Sequence, residues 1–265
     1  MRLAWATDVH LNFLDAAEVA AFAEALANGA PDAVLLAGDI AEAPDLEAHL
    51  ATLATRLARP VYFVLGNHDF YRGSVAGVRR AMAALSARSP SLRWLPAAGV
   101  VALTAATGLV GHDGWGDARL GDPAGTPLRL NDFVLIEELA GLDRASLHAA
   151  LRAFGDEAAA HLRAVLAPAL ARFARVVVVT HVPPFREACW HAGQVSGDDW
   201  LPYFTCKAVG DVLLEAARAR PDRRITVLCG HTHGAGVAAV LPNLTVHTGG
   251  AEYGAPEVQP ALVVD

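Results

Sequence analysis

Five apolar runs of strand length organise this 265-residue chain, and each ends in a glycine or polar turn: RLAWATD (2–8), AVLLAGD (33–39), VYFVLGN (61–67), VVVVTH (176–181) and ITVLCGH (225–231). Alanine-rich stretches of helical period lie between the first three, at 15–29 and 44–58, and another follows at 73–88. Continuously apolar strands alternating with helices predict a buried, largely parallel sheet covered by helices. Residues 92–111 read as two or three short strands, and 144–174 as a long amphipathic helix interrupted near Pro168. Short strands at 235–264 suggest a second sheet packed on the first. Two segments, 112–130 and 182–206, resist assignment and have the length of functional loops. No repeat or linker breaks the pattern, so a single domain over 1–265 is expected.

Composition narrows the function. A net charge of −7 argues against a broad cationic nucleic-acid surface, and 54% hydrophobic residues exclude disorder. Three cysteines (Cys189, Cys206, Cys229) without C-x-x-C spacing suggest neither a disulfide framework nor a structural zinc site. The opening MRLAWATDVHLN reaches Asp8 and His10 before a signal-peptide core could form, and no apolar run approaches the roughly 20 residues that span a bilayer. A cytoplasmic soluble protein is expected, with no membrane segment; its oligomeric state is not legible.

The strand ends carry the chemistry. Asp8 and His10 follow the first run, Gly38 and Asp39 the second, and Gly66, Asn67, His68 and Asp69 the third; His181 closes the valine run, and Gly230, His231 and His233 the last. Ligands of open α/β sheets bind beyond the carboxyl ends of the strands, so these residues should converge. In VLCGHTHGAG (227–236), the two imidazoles lie at a spacing that can face one side of an extended segment. Carboxylate, imidazole and amide donors without thiolate suit Mn, Fe, Co, Ni or Zn and argue against a calcium cage. The donors are too many for one ion, whereas two ions about 3.5–4 Å apart, sharing a carboxylate, would use most of them.

The series Asp8-Val-His10, Gly38-Asp39, Gly66-Asn67-His68-Asp69, Thr180-His181 and Gly230-His231-Thr232-His233 resembles the calcineurin-like metallophosphoesterases, in that family's order. The resemblance implies an α/β four-layer αββα sandwich, two packed mixed β-sheets flanked by helices. It also implies that Asp8, His10 and His233 bind one divalent metal ion, that Asn67, His181 and His231 bind a second, and that Asp39 bridges both. His68 would bind neither and would act catalytically at the scissile phosphate. A pair of such ions makes hydroxide available near neutral pH for in-line attack at phosphorus. The expected activity is hydrolysis of a small phosphorylated substrate, a phosphodiester in preference to a monoester. A dinuclear hydrolase of another ester or amide class, and a non-catalytic metal-binding interaction module, are the alternatives.

Other residues have plainer readings. Asp8 and Asp39 taken singly could cap helices. His49, His148 and His161 lie in helical stretches and read as surface; His112 and His191 are open between loop surface and substrate pocket, and His247 reads as packed on a late strand. Asp69 could orient a ligand or cap the 73–88 helix. Trp115, Trp190, Trp200, Tyr203 and Phe204 fall in the irregular segments, where lid packing is favoured over a stacking wall. Arg119 and Arg186 could clamp a phosphate or solvate loops, and Gly230 and Gly234 read as hinges.

Overall fold

The computed structural model describes residues 1–265. Its first half runs β1 (Arg2–Ala6), α1 (Ala16–Ala27), β2 (Ala33–Ala37), α2 (Leu46–Leu57), β3 (Val61–Val64), α3 (Val75–Arg88) and β4 (Leu92–Trp94). There follow α4 (Leu95–Ala98), β5 (Val101–Ala102), β6 (Thr107–Gly111), α5 (Asp132–Leu135), α6 (Arg144–Arg172) and β7 (Arg175–Val179). The remainder is β8 (Trp190–His191), β9 (Gln194–Val195), α7 (Leu201–Phe204), α8 (Lys207–Ala219), β10 (Arg224–Cys229), β11 (Gly236–Leu241), β12 (Leu244–Thr248) and β13 (Leu262–Val263).

The strands form two large mixed sheets, ordered β13-β1-β2-β3-β4 and β11-β12-β10-β7-β6-β5, with β8-β9 a separate ribbon. Alternation along each strand builds three apolar layers. Ala4, Ala6, Val34 and Leu36 face a core shared with Phe22, Leu26, Leu50 and Leu53 of α1 and α2. Leu3, Trp5, Leu35 and Ala37 turn the other way and meet Val177, Val179 and Leu228 of the second sheet. Val176, Val178, Ile225 and Val227 face Leu162, Leu166 and Leu213 of α6 and α8. Burial on both faces explains why these strands carry apolar residues at every position, and the four-layer αββα sandwich follows from it.

Three expectations need correction. The five apolar runs divide three and two between the sheets, because periodicity shows that a strand is buried and not which partner it pairs with. β13 leaves the second sheet and pairs antiparallel with β1. The long helix passes through Pro168 without interruption; the ring removes one backbone hydrogen bond, while buried Leu162, Leu166, Ala169 and Leu170 hold the helix on both sides of it. No helix is long and apolar enough to cross a membrane.

Candidate metal centre

Parallel pairing sets the height at which the loops leave the sheets. Ala6 pairs with Leu36, Ala37 with Val64, and Val179 with Leu228, so the chain exits neighbouring strands at matched levels. Asp8, Asp39, His181 and His231 each stand two residues past the last residue of their strand. The loops are stitched together by Asp8 N–H to the Gly38 carbonyl (3.0 Å), His10 N–H to the Asp39 carbonyl (3.0 Å) and Gly230 N–H to the His181 carbonyl (2.9 Å).

Backbone strain concentrates there. Ten non-glycine residues adopt positive φ, and five of them are Asp8 (50°), His10 (41°), Asp39 (50°), His231 (70°) and His233 (56°). Such conformations cost about 1–3 kcal/mol each and persist where the surroundings enforce them, commonly at functional sites. The His231–His233 segment is therefore a turn and not an extended stretch, and its two imidazoles diverge. Gly66, Gly230 and Gly234 are needed for close approach, and neither Gly230 nor Gly234 is a hinge: a Cβ on Gly66 would lie 2.1 Å from Asp39 Oδ1, one on Gly230 2.1 Å from Asp8 Oδ2, and one on Gly234 2.3 Å from the Trp190 carbonyl oxygen.

Two donor clusters result, each with its ligand atoms within 4.8 Å of one another: Asp8, His10, Asp39 and His233, and Asp39, His181 and His231. Asp39 belongs to both. Its Oδ1 lies 3.4 Å from His181 Nε2, while Oδ2 lies 3.9 Å from both His10 Nε2 and His68 Nε2. His233 Nε2 is 3.4 Å from Asp8 Oδ1 and 3.3 Å from His10 Nε2. Asn67 Oδ1 is 3.3 Å from His181 Nε2, which adds an amide oxygen to the second cluster. His181 donates Nδ1–H to the Ala37 carbonyl (2.8 Å), and His231 donates Nε2–H to the Tyr203 carbonyl (3.1 Å); each bond leaves the other ring nitrogen free as a lone-pair donor.

The electrostatics call for cations. Asp8 and Asp39 are buried, and only histidines pair with them; no lysine or arginine does. Burial raises both carboxyls, but His181 and its neighbours outweigh burial and hold Asp8 below, and Asp39 well below, the usual carboxylate range. His181 itself, lowered by burial but raised more by Asp39 and Asp8, reaches about 10. Burial followed by His181 pushes His231 down to about 3, and burial takes His10 down to about 4. Ionised carboxylates facing neutral His10 and His231, with His181 protonated until a metal displaces its Nε2 proton, form in a water-poor pocket a donor set that fits two divalent ions.

The family model for calcineurin-like phosphoesterases matches residues 1–235. The chain belongs to that family. Its members are metal-dependent phosphoesterases that bind two divalent ions. No curated protein matches the sequence. Among solved structures, the phosphopantetheinyl hydrolase of Mycobacterium tuberculosis superposes with a TM-score of 0.69 at 17% identity, over 97% of this chain and 95% of that one. A dimetal phosphatase from Danio rerio gives 0.58 at 14% identity, over 94% and 87%. A protein of Thermus thermophilus gives 0.55 at 13% identity, over 94% and 88%. These neighbours share the layered calcineurin-like fold.

Around the candidate centre the surrounding residues sort themselves. Buried Asp69 accepts from the N–H groups of Ile40, Ala41 and Gly66 (each 2.8 Å), fixing the Asp39 and Asn67 loops; Ser74, not Asp69, caps α3. His148 is buried against the Tyr203 hydroxyl, contrary to its surface reading, because α7 packs over α6 at that point. His112 is buried away from the centre, whereas His191 lines a cavity beside it. Arg119 pairs with Asp117 and Asp156, and Arg186 with Asp198, so neither faces the centre.

Four residues at the site had no sequence signal. Asp132 Oδ1 accepts from Asn67 Nδ2 (2.8 Å) and the Tyr71 hydroxyl (2.7 Å), aiming the amide. Arg129 lines a cavity with Asp39, Asn67, His68 and Asp132 and makes no ion pair, and Tyr253 sits with its ring centroid 4.4 Å from that of His10. Only the pairing of Asn67 with a buried carboxylate has a general precedent, in the partners that orient metal ligands.

Proposed function

We propose that the chain is a dinuclear metal-dependent phosphoric ester hydrolase acting on a small phosphodiester. Asp8, His10 and His233 hold one ion, Asn67, His181 and His231 the other, and Asp39 bridges them; Mn, Fe, Zn, Co and Ni all suit this donor set. Two bound divalent ions supply Lewis acidity and a nucleophilic water at neutral pH. His68 is set apart from the ligands: its ring stacks on Tyr71 (4.3 Å between centroids, 29°) and is partly exposed to the cavity. From there its imidazole can donate to a phosphoryl oxygen or to the departing oxygen.

The observation that carries the diester reading is a pair of adjoining cavities. One, of about 240 Å³, is lined by Asp39, Asn67, His68, Arg129 and Asp132. The other, of about 250 Å³, is lined by His191, Ser196, Trp200 and Thr232. Both share Phe204, His231, His233 and Tyr253. With phosphorus over the centre, one ester group would extend past Arg129 and Asp132 of the first cavity and the other into the second, and a monoester would use only one of these two directions. The Mycobacterium tuberculosis neighbour, by its name a phosphopantetheinyl hydrolase, makes an extended phosphodiester a reasonable substrate to test. We treat residues 1–265 as one domain, which the return of β13 to pair with β1 supports. Three buried free thiols, Cys189, Cys206 and Cys229, fit a reducing compartment such as the cytoplasm.

The test is metal analysis after manganese reconstitution, followed by turnover of bis(p-nitrophenyl) phosphate and p-nitrophenyl phosphate. About two ions per chain and a kcat/KM at least about tenfold higher for the diester are expected. Fewer than about one ion per chain with neither ester turned over would overturn the assignment.

A further inference from the structure

A run of aromatic rings extends from the candidate metal centre into the second long loop. Phe204 packs on His231 (4.6 Å between centroids), Trp200 meets Phe204 edge-on (5.1 Å), and His191 stacks on Trp200 (5.8 Å, 22°). From the other side Tyr253 packs on His233 (4.8 Å). His191, Trp200, Phe204 and Tyr253 line the second cavity.

Lid packing does not account for all of these rings. Trp115 and Tyr203, from the same irregular segments, are 4% and 5% exposed and belong to the core. Trp200 remains 40% exposed and Tyr253 52%, both at the rim of one cavity. Trp200 is nevertheless anchored: its backbone N–H bonds to the Gly197 carbonyl (3.0 Å), its backbone carbonyl accepts from Tyr203 N–H (3.0 Å), the next three residues are buried, and its ring is held by the contacts with His191 and Phe204. A held ring with an open face is a stacking platform, because leaving that apolar surface in water carries a cost that binding a flat group recovers. Tyr253 also lies outside residues 1–235, beyond the part of the chain that the family model describes.

We infer that the second cavity takes a planar aromatic or heteroaromatic group of the substrate, of the nucleobase type, stacked against Trp200 and Tyr253 while the phosphoryl group sits at the metal centre. The inference rests on the phosphoesterase reading and adds a specificity surface to it. Stacking is read through the π face, so the surface favours flat rings over sugars or alkyl groups of similar size.

Calorimetry on the manganese-loaded protein tests this with adenosine 5′-monophosphate against ribose 5-phosphate, which share the sugar phosphate and differ in the ring. The nucleotide is expected to bind about 5- to 100-fold more tightly. Trp200→Ala and Tyr253→Ala should each shrink that preference by about fivefold; Trp200→Phe should restore most of it, and Trp200→Leu, apolar but without a π face, should not. Equal affinity of the native protein for the two ligands, or an undiminished preference in both alanine variants, would overturn the inference while leaving the phosphoesterase reading intact. If neither ligand bound the loaded protein, both would fall.

Discussion

The two donor clusters share Asp39 and differ in almost every other respect. In the second, His181 and His231 are buried, each is held by a backbone carbonyl, and Asn67 is aimed by Asp132 and Tyr71. In the first, the buried Nδ1 of His10 has no partner, and the His233 side chain is 19% exposed beneath the open ring of Tyr253. The second cluster is thus preorganised, closed by its own hydrogen bonds, and the first is looser; both reach the cavities, the second through Asn67 and His231 and the first through His233. Orienting bonds of this kind commonly change metal affinity by about 10- to 100-fold. Chelator should therefore remove the ion of the first cluster before that of the second.

The largest expected effect comes from the residue the clusters share. Asp39→Asn should lower metal content at both and reduce turnover by about three orders of magnitude or more, since transition-state charge loses both counterions. Metal analysis beside the turnover assay checks it; a variant that kept one full equivalent of metal would break the view that Asp39 serves both clusters. Next in size is His68→Ala, which should keep both ions and lose about 10²- to 10³-fold in kcat, as expected of a proton donor or oxyanion partner. Full activity of that variant would remove His68 from the reaction.

How far the sequence reaches is visible in these same residues. Asp8, Asp39, Asn67, His181 and His231 were legible because each follows an apolar run whose end marks a fixed height on a sheet. The runs themselves were readable to within about two residues, the usual uncertainty of an element's end. Asp132, Arg129 and Tyr253 lie in stretches without periodicity and reach the cavity through long-range folding alone. The same limit applies to Gly66 and Gly230, whose lack of a side chain is explained by carboxylates in other loops and not by any local turn. It applies again to His148, which reads as a surface position until α7 is placed over it.

A smaller effect would turn the comparison around. Asp132→Ala removes the acceptor that holds Asn67 Nδ2 and the Tyr71 hydroxyl, so the Asn67 amide can rotate away from the second cluster. The expected cost is about 10- to 100-fold in affinity for one ion only, with the closed cluster now the first to empty under chelator. Stepwise metal titration followed by calorimetry reads this directly. An unchanged order of release would show that Asn67 holds its orientation without Asp132.

The smallest effect is on stability, and it comes from the two histidines of the closed cluster in the metal-free protein. Asp39 and Asp8 outweigh burial and raise His181 to about 10, so between about 6.5 and about 10 the folded chain holds a proton that the unfolded chain has lost. That contribution is fully present below about pH 6.5 and disappears as pH rises through about 10. His231, driven to about 3 by burial and then by His181, acts in the opposite sense: the unfolded chain gains a proton below about 6.5 that the folded one refuses, so stability falls toward acid. His10, at about 4, adds to the acid side. Metal-free protein should be most stable near pH 6.5, with Tm dropping by about 4 °C or more between about pH 7 and about pH 9.5. Metal at His181 Nε2 excludes that proton, so the manganese-loaded protein should lose the alkaline slope above about pH 8, beyond the range of Asp69, which burial and then Asp39 raise to about 8, while keeping its acid one. Melting curves of both forms across this range decide it: parallel profiles would mean that His181 is already neutral without metal, and that the closed cluster is assembled by hydrogen bonds to Ala37 and Tyr203 alone.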